Sequence, residues 1–406
     1  MPEVLVVGAG PVGLFAALTL SELGIRVQIV DQERRPAARS YALALHPETL
    51  RLLAEVGLAE ELLPMAHRVS TMAFYEGQER KAAVDLSVLQ ATLPCVAVLP
   101  QQTLEGALES RLLRQGIPVL WNHRVREITL AQGAVVADVE RLEHSGGEQV
   151  TVQERFDVRA DFILGADGHR SFIRESIAEP FEEMGPAELF AIFEITASGP
   201  AEHEAKVVFH GNQAGVLWPL GGHRFRWSLG IEDWTGFEEP RFKSRHFPQV
   251  NADPFSYLAR EKLHQLLAER APWFINDIGE IVWSMAVRFE RRLAGRFGRG
   301  RVWLAGDAAH LTGPIGSQSM NGGLSEARDL ARRLASILRD DYPLNVLDRY
   351  EISRRAEWLR LLGGDTQARP GAGTWVQEHA PKILPCLPAS GADLGALMSQ
   401  LGLELA

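Results

Sequence analysis

The run Val4-Leu5-Val6-Val7-Gly8-Ala9-Gly10-Pro11-Val12-Gly13, answered at position 31 by an aspartate, decides how this 406-residue chain folds. Four consecutive aliphatic residues bounded by glycine predict a short strand buried on both faces of a parallel sheet. Pro11 to Leu23 holds mostly good helix formers, and Gly24 stands where a left-handed cap is wanted. Val27 to Asp31 predicts a second strand closed by an acid, so one βαβ unit fills the first 31 residues. In the GxGxxG pattern the first glycine permits a tight turn, the second lets the backbone approach a pyrophosphate, and the third lets helix and strand pack closely. The free N–H groups at the helix start favour phosphate. Asp31, 18 residues beyond Gly13, stands where a carboxylate accepts hydrogen bonds from a ribose. The hexapeptide alone is equally a glycine-rich turn that binds nothing; strand, helix and acid together favour a dinucleotide.

Two later stretches repeat the arrangement of an apolar strand ending at a glycine-flanked aspartate. They are Gly165-Ala166-Asp167-Gly168, continuing to Arg174, and Arg301 to His310 with Gly306-Asp307 at its centre, followed by Pro314, Gly316, Met320 and Asn321. Each places a carboxylate at the carboxyl edge of a sheet, where α/β folds bind ligands. Any one of the three is also readable as an Asx turn. Between them, helices are expected around Leu50 to Val56, from Thr103 to Gln115 and from about Asn321 to Arg339, and shorter strands at Thr71 to Tyr75, Cys95 to Leu99 and Val119 to Ile128. Around 207–231 the alternation is regular. Phe225, Trp227, Leu229 and Ile231 fall on one face and Arg224, Arg226 and Ser228 on the other, with Gly221-Gly222 as the turn of an antiparallel hairpin.

Composition narrows the function classes. Hydrophobic residues make up 46% and charged residues 23%, a globular balance. A net charge of -10 opposes binding to nucleic acid. Cys95 and Cys386 form no cluster, which supports neither a disulfide framework nor a metal site and fits a reducing compartment. Only Met1, Pro2 and Glu3 precede the first apolar run, and no stretch reaches the roughly 20 apolar residues that span a bilayer, so a cytoplasmic chain is expected. The sequence contains no HExxH, GxSxG or lysine-bearing phosphate loop.

Through about residue 360, these three spaced motifs resemble the class A flavoprotein monooxygenases, the family of p-hydroxybenzoate hydroxylase and the aromatic polyketide hydroxylases. The resemblance implies an α/β fold: a Rossmann-like FAD-binding domain of glutathione-reductase type, an inserted antiparallel substrate sheet, and C-terminal helices. The implied boundaries are 1–70, 96–178 and 285–345 for the FAD-binding domain, 71–95 and 179–284 for the substrate domain, and 346–406 for the C-terminal helical segment. FAD is the implied cofactor, with Gly8, Gly10, Val12 and Gly13 at its pyrophosphate and Asp31 on the adenosine ribose. By the same matching, Arg39 and Gln101 contact the cofactor and Val125 lies near the adenine. Asp167 belongs to a motif shared with NADPH binding, and Asp307 holds the ribityl chain. Pro314, Gly316, Met320 and Asn321 then run beneath the isoalloxazine. The chain departs from the family's Pro-Pro-x-Gly-Gly-Gln-Gly-Met-Asn by carrying Ser317 and Ser319 at two glycine positions, which a serine fills if φ is negative. Glu326 and Asp329 replace the usual Asp and Asn of the following helix, and Ser40 follows Arg39.

The implied activity is hydroxylation of a small phenolic or polyketide-like aromatic by NADPH or NADH and O2 through a hydroperoxyflavin, with no metal. A flavin-dependent halogenase is a rival, although its WxWxIP motif is absent from the sequence; epoxidation and Baeyer–Villiger insertion use the same scaffold. A flavin-binding protein without turnover is the non-enzymatic rival. Trp218, Phe225 and Trp227 either line an apolar substrate pocket or fill an ordinary sheet core, and Arg224 or Arg226 either holds a phenolate or carboxylate or is solvated. His310 is read as a structural hydrogen-bonding residue ahead of a base. The arginines at 288, 291, 292, 296, 299 and 301 form either a solvated face with carboxylate partners or an attractor for NADPH phosphates. No catalytic residue is assigned, and the oligomeric state is left open.

Overall fold

A computed structural model describes residues 1–34, 44–145, 149–198, 203–232, 246–249, 258–274, 278–363 and 366–405. In chain order the elements that build the site are β1 (Val4–Val7), α1 (Pro11–Glu22), β2 (Val27–Val30), α2 (Pro47–Glu55), α3 (Gln101–Arg114) and β3 (Phe162–Gly165). There follow β4 (Phe181–Ala197), β5 (Gln213–Gly221), β6 (Arg224–Ile231), α4 (Arg260–Arg270) and β7 (Ile278–Ala294). The chain then returns through β8 (Val302–Leu304), α5 (Gln318–Asp340), α6 (Val346–Gly363) and α7 (Thr374–Ile383).

Among the described residues, one sheet has six strands in the order Gly298–Arg299, β8, β3, β1, β2, Val119–Leu120. All but the Gly298–Arg299 edge run parallel. The register sets Val7 opposite Gly165 and Gly165 opposite Leu304. The three strand ends that precede Gly8, Ala166 and Ala305 therefore lie side by side, within about 10 Å at the usual strand spacing. β1 is completely buried, as its four aliphatic residues require. Helix α1 is buried from Val12 to Thr19 and beyond, because its residues are apolar on every side. It packs between α3 and the amphipathic α5.

The second large sheet is antiparallel except where Glu204–His210 runs parallel to Thr71–Glu76. Its order is His246–Gln249, β7, β4, β6, β5, Glu204–His210, Thr71–Glu76, Glu79–Asp85, with His310–Leu311 added to β7. The outer face, from Leu189, Phe193, Trp227 and Leu229, makes a separate core under α4. The inner face, from Phe190, Ile192, Val216, Trp218, Met285 and Val287, belongs to the same continuous core as the parallel sheet.

Strand β7 runs unbroken to Ala294 against β4, across the boundary expected between 284 and 285. The expected strand from Val119 to Ile128 is two: Val119–Leu120 joins the parallel sheet and His123–Ala131 opens a three-stranded antiparallel one. Within the expected C-terminal helical segment 346–406, Thr366–Ala368 pairs with Leu403–Leu405 around α7. Among the described residues no helix is long and apolar enough to cross a membrane.

Candidate functional site

Two glycines of the loop, Gly8 and Gly13, sit where the chain can tolerate no side chain. Gly8 has φ +103°, and a Cβ there would stand 2.2 Å from the Ala166 carbonyl oxygen; a Cβ on Gly13 would stand 1.9 Å from the Gly8 carbonyl. At Gly10 a Cβ would meet nothing within 4 Å. The second glycine thus borders open space in front of α1, where Gly10 at the N-cap offers no side chain to the first-turn N–H groups. A second close approach joins the other strand end. Gly306, at φ +64°, leaves room for Val12, and Gly323 of α5 leaves room for both. The start of α1, the Gly306-Asp307 turn and α5 consequently close on one another.

Around this cradle the acids are placed by the backbone. Asp31 Oδ2 accepts from the Ala9 N–H at 2.6 Å and Oδ1 from the Glu33 N–H at 2.8 Å. Burial raises its pKa. Glu105 on α3 is buried, accepts from the Gln101 amide at 2.7 Å and is pushed up to about 7, first by burial and further by the charge of Asp31. Gln101, Glu105 and Asp31 therefore share one end of the site. Val125 is buried in the three-stranded sheet whose first residue, His123, donates its N–H to the Asp31 carbonyl at 2.8 Å. Asp167 turns its carboxyl inward, accepting from Ser171 Oγ at 2.5 Å and from the Ile173 N–H at 3.1 Å; burial pushes it up to about 6. The buried Arg174 ties the two later motifs together, donating to the carbonyls of Ala308 and His169 at 2.9 and 3.1 Å. Arg39 lies outside the described residues.

The loop from Gly313 leads into α5, which starts at Gln318 and not at the expected Asn321. Ser317 stands at φ +53°, the left-handed region, so the negative φ that a serine needs to fit without strain is not met there. Ser319 Oγ donates to Asp307 Oδ1 at 2.5 Å. Asn321 is buried and bonded on all sides: its amide nitrogen donates to the carbonyls of Ala44 and Ser317, and its oxygen accepts from the His46 N–H and from Thr49 Oγ1. His46 Nε2 donates to the Gly316 carbonyl at 2.8 Å, and burial lowers the ring to about 4, so it is neutral. On the opposite side Gln318 donates its amide to the Leu387 carbonyl. His46, Thr49 and Leu387 carried no sequence signal, because their partners lie up to about 270 residues away along the chain.

Below the Asp307 turn, Glu326 accepts from the Gly306 N–H at 2.8 Å, from His310 Nε2 at 2.9 Å and from Trp358 Nε1 at 2.5 Å. His310 is fully buried and stacked on Trp358, with ring centres 3.6 Å apart. It holds structure together.

Trp218, Phe225 and Trp227 do not share one face. Trp218 pairs with Arg226 across the hairpin, whereas Trp227 pairs with Leu217, so alternation sends the two tryptophans to opposite faces. Trp218 lies on the inner face; Trp227 and Phe225 pack against Phe274 in the outer core. Arg224 and Arg226 both donate to Glu194, Arg226 at 2.7 Å and stacked 4.8 Å over Trp283. In the basic run, Arg288 and Arg292 pair with Glu290 and Arg291 with Glu188.

Residues 1–362 match the FAD binding domain family. The chain belongs to that family. Within the FAD binding domain family, it is 28% identical over 370 residues to 6-methylpretetramide 4-monooxygenase of Streptomyces rimosus, which covers 90% of this chain and 61% of that protein. The chain thus spans about three fifths of that relative's length. It is 28% identical to para-nitrophenol 4-monooxygenase of Pseudomonas sp. strain WBC-3, over 93% of this chain and 88% of that one. The crystal structure of p-nitrophenol 4-monooxygenase PnpA from Pseudomonas putida superposes with a TM-score of 0.73 at 22% identity, covering 99% and 94% of the two chains, which shows a shared fold.

Proposed function

We propose that this chain is an FAD-dependent monooxygenase that hydroxylates a small phenolic or polyketide-like aromatic with NADPH or NADH and O2. One observation carries the reading: three parallel strand ends, each followed by a glycine-bearing turn, converge between the starts of α1 and α5, next to the buried inner face of a large sheet. The residues fit an elongated dinucleotide. The open space before Gly10 and the uncapped first turn of α1 suit a diphosphate. Asp31 suits a ribose, and the half-buried Asp307 suits the polyol that joins the diphosphate to the flavin ring.

When bound, FAD supplies hydride acceptance from the nicotinamide and activation of O2, chemistry that side chains do not perform. The protein binds, orients and excludes water. The first-turn N–H groups of α1 would hold the diphosphate, and the positive end of α5 would favour negative charge at the loop from Pro314 to Met320. Phe190, Ile192, Val216 and Met285 keep the inner face dry. The relatives' names, 6-methylpretetramide and para-nitrophenol monooxygenases, support an aromatic substrate. The free Cys95 and Cys386 support a cytoplasmic location.

The purified protein is expected to be yellow and to oxidise NADPH severalfold faster when its aromatic substrate is added, giving a product one oxygen atom heavier. Asp307→Ala is expected to lose FAD on gel filtration. Colourless protein that takes up no added FAD overturns the proposal. Bound flavin with no stimulation across a broad panel of phenols and quinones favours the binding protein instead.

A further inference from the structure

We propose that Ser319 is a positioning residue for Asp307, and that it sets how tightly the chain holds FAD. This rests on the flavin reading above and names a residue that reading does not use. The Ser319 hydroxyl donates to Asp307 Oδ1, a hydrogen bond that restrains the carboxylate's rotation before any ligand arrives. Ordering paid in advance is affinity gained, because the ligand no longer has to freeze the side chain it binds.

The hydroxyl reaches Asp307 because the preceding loop is clamped. Ser317 occupies the left-handed region, which costs a non-glycine residue free energy and persists only where surroundings over-determine it. Here they do. His46 holds the Gly316 carbonyl, and Asn321, with four hydrogen bonds, holds the Ser317 carbonyl against Ala44, His46 and Thr49. From the other side, the Pro385 carbonyl oxygen lies 2.3 Å from where a Gly316 Cβ would stand, so the turn has no room to slide. None of these partners belongs to a ligand. The chain's own segments 44–49 and 385–387 set the first turn of α5, and that turn delivers Ser319.

The test is FAD titration of the apoprotein, followed by quenching of flavin fluorescence, for wild type, Ser319→Ala, Ser319→Thr, Asp307→Asn and the double variant Ser319→Ala/Asp307→Asn. Loss of one charge-assisted hydrogen bond predicts that Ser319→Ala binds FAD about tenfold more weakly. Ser319→Thr, which keeps the hydroxyl, should stay within about threefold of wild type. The double variant should bind about as weakly as Asp307→Asn alone, because the serine acts through that carboxylate. Because the bond is already present in the apoprotein, the melting temperature of Ser319→Ala should fall by no more than a few degrees, the cost of one hydrogen bond; a larger fall would mean a general loss of stability and overturn the positioning role. Wild-type affinity in Ser319→Ala, failure of threonine to restore binding, or losses that multiply in the double variant would each overturn the proposal. A wild-type chain that binds no FAD overturns the flavin reading together with it.

Discussion

At the scale of single residues, Glu105 shows what a buried acid beside another acid does to stability. Its carboxyl is pushed from 4.5 up to about 7, chiefly by burial and then by Asp31. A folded-state value above the unfolded one means that the folded chain prefers the protonated form. The penalty is absent below pH 4.5, grows as pH rises and is complete above about 7. Glu105→Gln keeps an oxygen for Gln101 and removes the charge, so the variant should overtake wild type across that window and be more stable at pH 8 by roughly 1–3 kcal/mol. Urea denaturation at pH 4.5, 6 and 8 checks this; a difference that does not change with pH refutes it. Ser317 gives a second residue-scale case. A left-handed serine costs about 1 kcal/mol that glycine does not, so Ser317→Gly should raise the unfolding free energy by about that amount, read as a higher denaturation midpoint. A lower midpoint would show that the serine side chain does more than tolerate its place. The glycines and aspartates of the site were readable in the sequence because each follows a local rule, a tight turn or a strand end. His46 was not, since a lone histidine before a proline says nothing about a carbonyl 270 positions away.

At the scale of elements, helix α5 depends on what grips it. Its apolar periodicity starts only at Leu324, so the sequence placed its beginning late; the turns from Gln318 to Gly323 are held by Asp307, Asn321's partners and the close packing on Gly306. Glu326 is the deepest of these grips, an almost fully buried carboxylate that accepts from three donors on two segments, Gly306 and His310 of one turn and Trp358 of α6. Glu326→Gln replaces one acceptor oxygen by an NH2 that faces a donor, leaving a buried polar group unpaired. It should destabilise the protein by about 2–4 kcal/mol, read as a fall in the denaturation midpoint, and loosen FAD through the Gly306-Asp307 turn. A loss under about 0.5 kcal/mol would mean that water or a rotated side chain repairs the gap. The hairpin was legible from its alternation, but its turn falls one residue later than the expected Gly221-Gly222: Gly221 closes β5 opposite Arg224, and Gly222 and His223, both at positive φ, make the turn. The length of β7 was not, because arginines crowd its second half and only their pairing with Glu188 and Glu290 shows why they stay on a strand.

At the scale of the whole molecule, one sheet separates two cores that do different work. Alternation sets Trp227 and Arg226 facing opposite ways, yet it carries no information about which side faces the parallel domain, since that depends on α4 covering one face and the parallel domain the other. The cores make this separation measurable. Trp227 is fully buried on the outer face against Trp273 and Phe274. Trp218 is buried on the inner face, in the core continuous with the nucleotide domain. Truncating either to leucine opens a cavity and should cost on the order of 2–4 kcal/mol. The consequences for function should differ: Trp227→Leu should lower the denaturation midpoint with FAD affinity and the KM for the aromatic unchanged, whereas Trp218→Leu should also raise that KM. Steady-state NADPH oxidation on FAD-saturated variants, at a temperature where both are folded, decides it. If the outer-face variant shifts KM as much as the inner-face one, the substrate chamber does not lie on the side to which the two cores assign it.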